Sequence, residues 1–372
     1  MKKILTVAFT AIIFIFGSIF PAQAEENTML YDLSGVYNSL SDDAKQSLEN
    51  IGADSADPNK LSDISFSDIV GEIANMASNN ISSPLKGLIN ITALLLLCSI
   101  LTAYKGSLSS DISNTINIVS SLCITCAVVM PTVNIIKSTA KIIDTASNLM
   151  LAYLPVMMTI MAASGRAVSG ASYYTMMLAA GEGVGQLSSK VIVPLLNAFL
   201  GISVTASVSP SINLSGFIGM ISKTVKWLLG FAMTIFTALL SFKQLITTSL
   251  DGVTSKAARF AISSFVPIVG SALSDAYKTV QSSIGLLKSG VGVFVIISVA
   301  MVFLPIILQS LIWIVTLWLG KSTAEVLSLN QCAKLLESVV TVFSTLLAIA
   351  LCIMSVYIIS TAIILIMGGG AG

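Results

Sequence analysis

Long apolar runs separated by short polar breaks dominate the chain after residue 84. A spanning helix needs about twenty largely apolar residues, and seven runs are long enough. They are Leu85–Tyr104, Ile116–Ile136, Ile142–Ala163, Lys190–Val208, Val225–Ile246, Val291–Leu319 and Val339–Met367. Two shorter runs, Tyr173–Gly185 and Ala257–Leu273, suit re-entrant or interfacial helices. The pattern predicts an all-α, polytopic helical membrane protein with six to eight spans.

Four prolines lie between aliphatic residues in these runs: Pro155, Pro194, Pro267 and Pro305. Proline removes a helical hydrogen bond and clashes with the preceding turn, so each position predicts a kink or a helix break. The prolines form two pairs of similar spacing, and internal duplication is common in transport proteins. Proline flanked by aliphatic residues also arises by chance at this composition, so a true repeat stays an open hypothesis.

The N-terminus has the layout of a cleavable signal peptide over residues 1–24. Lys2 and Lys3 precede an apolar run, Ile4 to Phe20, and a small-x-small site follows at Ala22-Gln23-Ala24. This layout differs from that of a membrane anchor. We therefore expect the segment after it to be exported.

Residues 25–84 form an acidic segment with two predicted amphipathic helices. Ser41 can cap the first helix, and Ser65-x-x-Asp68 resembles a capping box for the second. The segment is interpreted as a small helical region that packs on the membrane domain. A docking face for another extracytoplasmic protein is the alternative.

Charge is distributed unevenly between the two halves. Residues 25–84 contain eleven acidic residues and two lysines, whereas residues 85–372 contain fifteen basic and seven acidic residues. Basic residues favour the cytoplasmic side of short loops. The sequence thus predicts an extracytoplasmic N-terminal region and a multi-span transmembrane domain over residues 85–372. Overall composition agrees, because hydrophobic residues make up 55% of the chain and charged residues only 10%, against about 25% in soluble domains.

Residues that could carry catalysis are scarce. The chain has no histidine, which excludes the commonest general base and metal ligand. Cys123-x-x-Cys126 lies in an apolar run without a second pair, and the glycines around Glu182 follow no strand and lack a Gly-Lys-Ser/Thr sequence. We expect no enzymatic activity, no cofactor and no metal.

Isolated charges in apolar surroundings are more informative. Charges at membrane depth are costly and usually pair or line a cavity, and Arg166 and Glu182 are the first candidates. A loop position at the membrane interface is the alternative for Glu182. Asp251, Lys256, Arg259 and Asp275 bracket an apolar segment that is too short to cross a membrane alone.

The stretch from Thr248 to Gly292, which contains this bracketed segment, resembles the characteristic region of the stage III sporulation protein AE family. The order of signal peptide, acidic segment and membrane domain is similar to that family over the whole chain. The resemblance implies a polytopic subunit of a secretion-type or feeding channel that joins mother cell and forespore. Such a protein would lie in the mother-cell membrane around the forespore and be required for late forespore gene expression.

The partners that the resemblance implies are other stage III sporulation A-operon proteins, the forespore-side stage II sporulation protein Q and the lipid bilayer. It implies no catalytic residues, and no cluster of basic residues is dense enough for nucleic acid. A stand-alone secondary transporter with discontinuous helices is the alternative function.

Overall fold

A computed structural model describes residues 34–53, 61, 64–103, 110–163, 166–187 and 270–369, with scattered positions from 190 to 238. Within these ranges the chain is helical apart from short turns. The helices are α1 (Ser34–Asn38), α2 (Asp42–Asn50), α3 (Phe66–Ala103), α4 (Ser110–Ala163), α5 (Ala167–Leu187), α6 (Gly270–Val326) and α7 (Asn330–Gly369).

The four longest helices far exceed the thickness of a bilayer. They contain 38, 54, 57 and 40 residues, which corresponds to about 55–85 Å at 1.5 Å per residue. The hydrocarbon core is only about 30 Å thick. Each helix therefore extends beyond one bilayer crossing or lies at a steep tilt.

Four of the described helices are long and apolar enough to cross a membrane: Ser67–Ala103, Ile118–Ala163, Gly290–Val326 and Asn330–Leu365. The helical membrane architecture is therefore confirmed, whereas the expected six to eight spans are not. The runs Ile116–Ile136 and Ile142–Ala163 belong to the single helix α4. They cannot cross in opposite directions, as two separate spans would.

The described prolines do not interrupt their helices. Pro155 lies inside α4 and Pro305 inside α6, and the helical backbone continues on both sides of each. Breaks at these two positions are therefore not seen, and the kink that proline favours stays a prediction. Pro194 has helical backbone at an isolated described position, and Pro267 lies outside the described residues.

The N-terminal helices begin as their sequences predict. The Ser41 hydroxyl accepts a hydrogen bond from the Ala44 amide at 3.3 Å. At the start of α3, the Ser65 amide donates to the Asp68 carboxylate at 3.1 Å, and the Ser65 hydroxyl accepts from the Ser67 amide. These bonds confirm both capping predictions. Such caps can be predicted from sequence because donor and acceptor lie within one helical turn.

The two short helices pack on the long ones. Their apolar side chains Val36, Leu40, Ala44, Leu48, Ile51 and Ala53 are buried. Helix α1 contacts α4, and α2 contacts α3 and α6. This packing supports the interpretation of the acidic segment as a helical cap.

Helices α6 and α7 form an antiparallel pair with close contacts along its length. The rings of Trp313 and Phe343 stack with centroids 5.9 Å apart. Gly292, near the start of the apolar part of α6, lies against Leu365 near the end of α7. The buried stretch of α6 also contacts α3 and α4, so it lies at the centre of the described bundle.

Helix α3 runs parallel to α6 and approaches it closely at a glycine. A Cβ atom on Gly87 would lie 2.6 Å from Cη2 of the Trp313 indole, and one turn further Ile91 lies close to Gly320. The indole is buried and stacked on Phe343, so it has little room to move. A residue larger than glycine at position 87 would therefore have to displace the indole.

The turn between α6 and α7 uses a left-handed residue without glycine. Ser328 has φ 57°, its amide donates to the Glu325 carbonyl at 3.0 Å, and the Leu329 amide donates to the Ala324 carbonyl at 2.9 Å. This is the Schellman arrangement that ends many helices. Gly52 ends α2 in the same way with φ 76°. Its amide donates to the Glu49 carbonyl, and the Ala53 amide donates to the Leu48 carbonyl.

Gly87→Ala is expected to destabilise the protein by about 1–3 kcal/mol, because the new methyl group collides with a trapped indole. Thermal unfolding of the full chain in detergent would measure the change. Gly71→Ala in the same helix is the matched control, since no atom lies within 4 Å of its added Cβ. Trp313→Phe should partly rescue Gly87→Ala, and equal stability of the two glycine variants would contradict the contact.

Ser328→Gly is expected to stabilise the protein by about 0.5–1 kcal/mol, because glycine adopts the left-handed conformation without steric cost. The same thermal assay applies. Ser338→Gly, inside α7, should destabilise because it adds backbone freedom to a helix interior. A lower melting temperature for Ser328→Gly would be inconsistent with the turn.

Candidate functional site

Arg166 lies at the turn between α4 and α5. Its amide donates to the Met161 carbonyl at 2.9 Å, and its carbonyl accepts from the Gly170 amide at 3.0 Å, so its backbone joins the end of one helix to the start of the next. Its side chain is half-buried. Glu182 lies in the backbone of α5, and its side chain is outside the description. The role predicted for either charge is therefore still a prediction.

The bracketed segment falls largely outside the structure. Asp251, Lys256 and Arg259 lie outside the described residues, and Asp275 is described only as backbone in the first turns of α6. Whether these four charges form one cluster remains a prediction from their spacing.

One buried carboxylate connects the N-terminal cap to the bundle. Glu72 of α3 is buried, and its Oε2 accepts a hydrogen bond of 3.0 Å from Nδ2 of Asn50 at the end of α2. Within α1 and α2, the Tyr37 hydroxyl donates to Oε1 of Glu49 at 2.7 Å. These bonds fix the cap through side chains that the amphipathic pattern alone does not pair.

A second charged group lies at the α6–α7 turn. Nζ of Lys321 is 3.6 Å from Oε1 of Glu325 and 3.3 Å from Oε2 of Glu337. Both carboxylates are more than half exposed, so the pairs add little stability. Because Glu337 belongs to α7, the lysine joins the two helices near their turn.

The most unusual group in the bundle is a set of buried hydroxyls where α4, α5 and α7 meet. Tyr153 of α4, Tyr173 of α5 and Tyr357 of α7 are all buried, and none of their hydroxyls has a hydrogen bond of full geometry. We call this group, together with Ser147 and Thr361, the hydroxyl cluster.

The members of the hydroxyl cluster lie next to one another across three helices. Tyr173 is adjacent to Tyr153 and to Thr361, and Tyr357 is adjacent to Ser147. The Thr361 hydroxyl donates to the Tyr357 carbonyl at 2.9 Å, which leaves its oxygen free to accept. A buried hydroxyl without a partner costs about 1–3 kcal/mol, so several such groups in one place need an explanation.

Sequence analysis did not identify the hydroxyl cluster. Its three tyrosines are distributed over more than 200 residues, in runs classified only by their hydropathy. Tyrosine within an otherwise aliphatic run was the available signal, because its hydroxyl needs a partner when buried. Which tyrosines meet depends on helix packing and could not be inferred from the runs.

The cluster offers neutral donors and acceptors and no nucleophile activated by a neighbouring base. Among the described residues, no group of three or more His, Cys, Asp or Glu side chains could hold a metal ion. In that part of the chain no disulfide joins any of the five cysteines. The arrangement can form hydrogen bonds between neutral groups of different helices.

Comparison with known proteins connects this architecture to a biological process. The family model of stage III sporulation protein AE matches residues 56–368, which covers the long helices and the bracketed segment. The chain belongs to the stage III sporulation protein AE family. The resemblance inferred from the Thr248–Gly292 stretch is thereby confirmed.

A relative in this family is stage III sporulation protein AE of Bacillus subtilis (strain 168), which is 27% identical over 158 residues. The aligned part is 42% of this chain and 40% of the relative, so the match spans less than half of either protein. No solved structure matches the chain. Membership of this family makes the chain a sporulation protein with membrane-spanning character.

Asn50→Ala is expected to loosen the N-terminal cap, because it leaves the buried Glu72 carboxylate without its donor at a cost of about 1–2 kcal/mol. Limited proteolysis of the full chain in detergent should show faster cleavage within α1 and α2. Asn79→Ala, at an exposed position of α3, is the matched control. Unchanged cleavage in both variants would mean that the Asn50–Glu72 bond does not hold the cap.

Proposed function

We propose that this chain is a non-enzymatic integral membrane subunit of a secretion or feeding channel that links mother cell and forespore. In this role it would lie in the mother-cell membrane around the forespore and be required for late forespore gene expression. The observation that carries the proposal is the family match over residues 56–368, combined with four long apolar helices.

The proposed partners are other stage III sporulation A-operon proteins and the forespore-side stage II sporulation protein Q. An N-terminal cap exported behind a signal peptide over residues 1–24 would present its acidic face to the intermembrane space. Asp42, Asp43 and Glu49 on that face are exposed, while the apolar face of the cap is buried. This division supports a role in which the cap is anchored on one side and accessible on the other.

Asp251, Lys256, Arg259 and Asp275 are proposed to form a polar interfacial cluster used in assembly. Their spacing around a segment too short to span supports this role. The secondary-transporter alternative rests on helix breaks at four prolines and on a weak internal repeat. Helices α4 and α6 continue through two of these prolines, Pro155 and Pro305. We therefore do not put it forward as a second candidate.

Clean deletion of the gene in its native host is expected to arrest sporulation after engulfment. The forespore reporter should be silent and heat-resistant spores absent, while vegetative growth is normal, because a channel subunit of this kind acts only after engulfment. Counts of heat-resistant spores and reporter fluorescence measure the outcome. Normal sporulation with a solute-uptake defect in growing cells would contradict the proposal.

Complementation of the deletion strain separates the roles of individual residues. Alanine at Asp251, Lys256, Arg259 and Asp275 together should reduce spore counts and recovery of the complex, while Glu182→Gln should complement. Alanine at Lys137 and Lys141, both exposed on α4, is the control for loss of surface charge. Unchanged recovery and sporulation with the four-alanine variant would exclude the assembly role, whereas failure of Glu182→Gln with normal protein levels would favour a carrier.

A further inference from the structure

The hydroxyl cluster has more hydrogen-bonding capacity than its own side chains use. The Tyr153 hydroxyl is buried without a hydrogen-bond partner among the described residues. The hydroxyl of Tyr173, which lies close to it, has only a contact with Thr361 that falls short of full hydrogen-bond geometry. The Thr361 hydroxyl already donates its hydrogen bond to the Tyr357 carbonyl. Two tyrosine donors and one threonine acceptor therefore surround the same part of the interface between α4, α5 and α7.

Buried polar groups in folded proteins are almost always paired with protein or with ordered water. Buried waters typically make about three hydrogen bonds to groups that otherwise have no partner. The hydroxyls of Tyr153, Tyr173 and Thr361 provide that number from three different helices. A second set, Tyr357 with Ser147, lies one helical turn away along α7.

The chemistry of the cluster favours water over other occupants. All of its side chains are neutral hydroxyls, and the carboxylate that interacts electrostatically with Tyr357, that of Asp144, belongs to an exposed residue. A bare cation in the cluster would lack a counter-charge, which is costly inside an apolar bundle. An apolar occupant would leave the tyrosine hydroxyls unpaired.

We propose that the hydroxyl cluster is an internal hydration site, in which ordered water bridges Tyr153, Tyr173 and Thr361 and extends toward Tyr357 and Ser147. The water connects α4, α5 and α7 through hydrogen bonds at a place where the surrounding contacts are apolar. This inference concerns the described bundle alone and does not depend on the proposed function.

Millisecond hydroxyl-radical footprinting of the full chain in detergent or nanodiscs tests the site, because X-rays generate radicals from bound water inside a protein. Tyr153 and Tyr173 should be oxidised, although both are buried. The buried rings of Phe294 and Phe303 are the matched negative controls for labelling through helix opening. Oxidation of the two tyrosines no faster than that of these phenylalanines would overturn the proposal.

Tyr153→Phe provides an independent test, since it removes one hydroxyl and keeps the ring. Loss of a water-bridged bond should lower Tm by roughly 2 °C and reduce the labelling of Tyr173. If no water is bound, the variant removes a buried donor that has no partner, and this removal should raise Tm. A raised Tm would therefore overturn the proposed hydration site. Tyr173→Phe repeats the test from α5, with loss of labelling at Tyr153 as its expected result.

Discussion

The described bundle depends on the burial of one helix that is apolar on every side. Between Val291 and Leu304 nearly all side chains of α6 are buried, and a helix of this kind has no polar face to turn toward water. It must be surrounded by other helices or by lipid. In this protein α2, α3, α4 and α7 surround it, and their positions follow from that requirement.

Close packing around α6 is achieved by removing side chains rather than by adding polar contacts. Gly87, Gly292 and Gly320 allow neighbouring side chains to approach the helix backbones, and small residues have this role widely in membrane helix pairs. Large rings such as Trp313 and Phe343 then fill the space between the helices. In such an interior each polar group needs a specific partner, which is why the hydroxyl cluster stands out from its surroundings.

The difference between what could and could not be predicted follows from the range of the interactions. The caps at Ser41 and Ser65 were predictable because the donor and acceptor lie within one turn. The long apolar helices were predictable from composition, but their bounds were not, since the stretch from Lys137 to Lys141 separates two predicted runs and is instead part of one helix. The hydroxyl cluster and the Asn50–Glu72 bond were not predictable, because each joins side chains of different helices and depends on how those helices pack.

The same packing limits the motions that the chain can use in its function. Alternating access requires one group of helices to move against another around a central site. The central helix α6 is instead buried along much of its apolar length, with a stacked indole and close glycine contacts on two sides. Sliding it would separate contacts with several neighbours at once, because closely packed interiors do not deform continuously. Such a bundle is suited to hold its position, which agrees better with the proposed channel subunit than with a carrier.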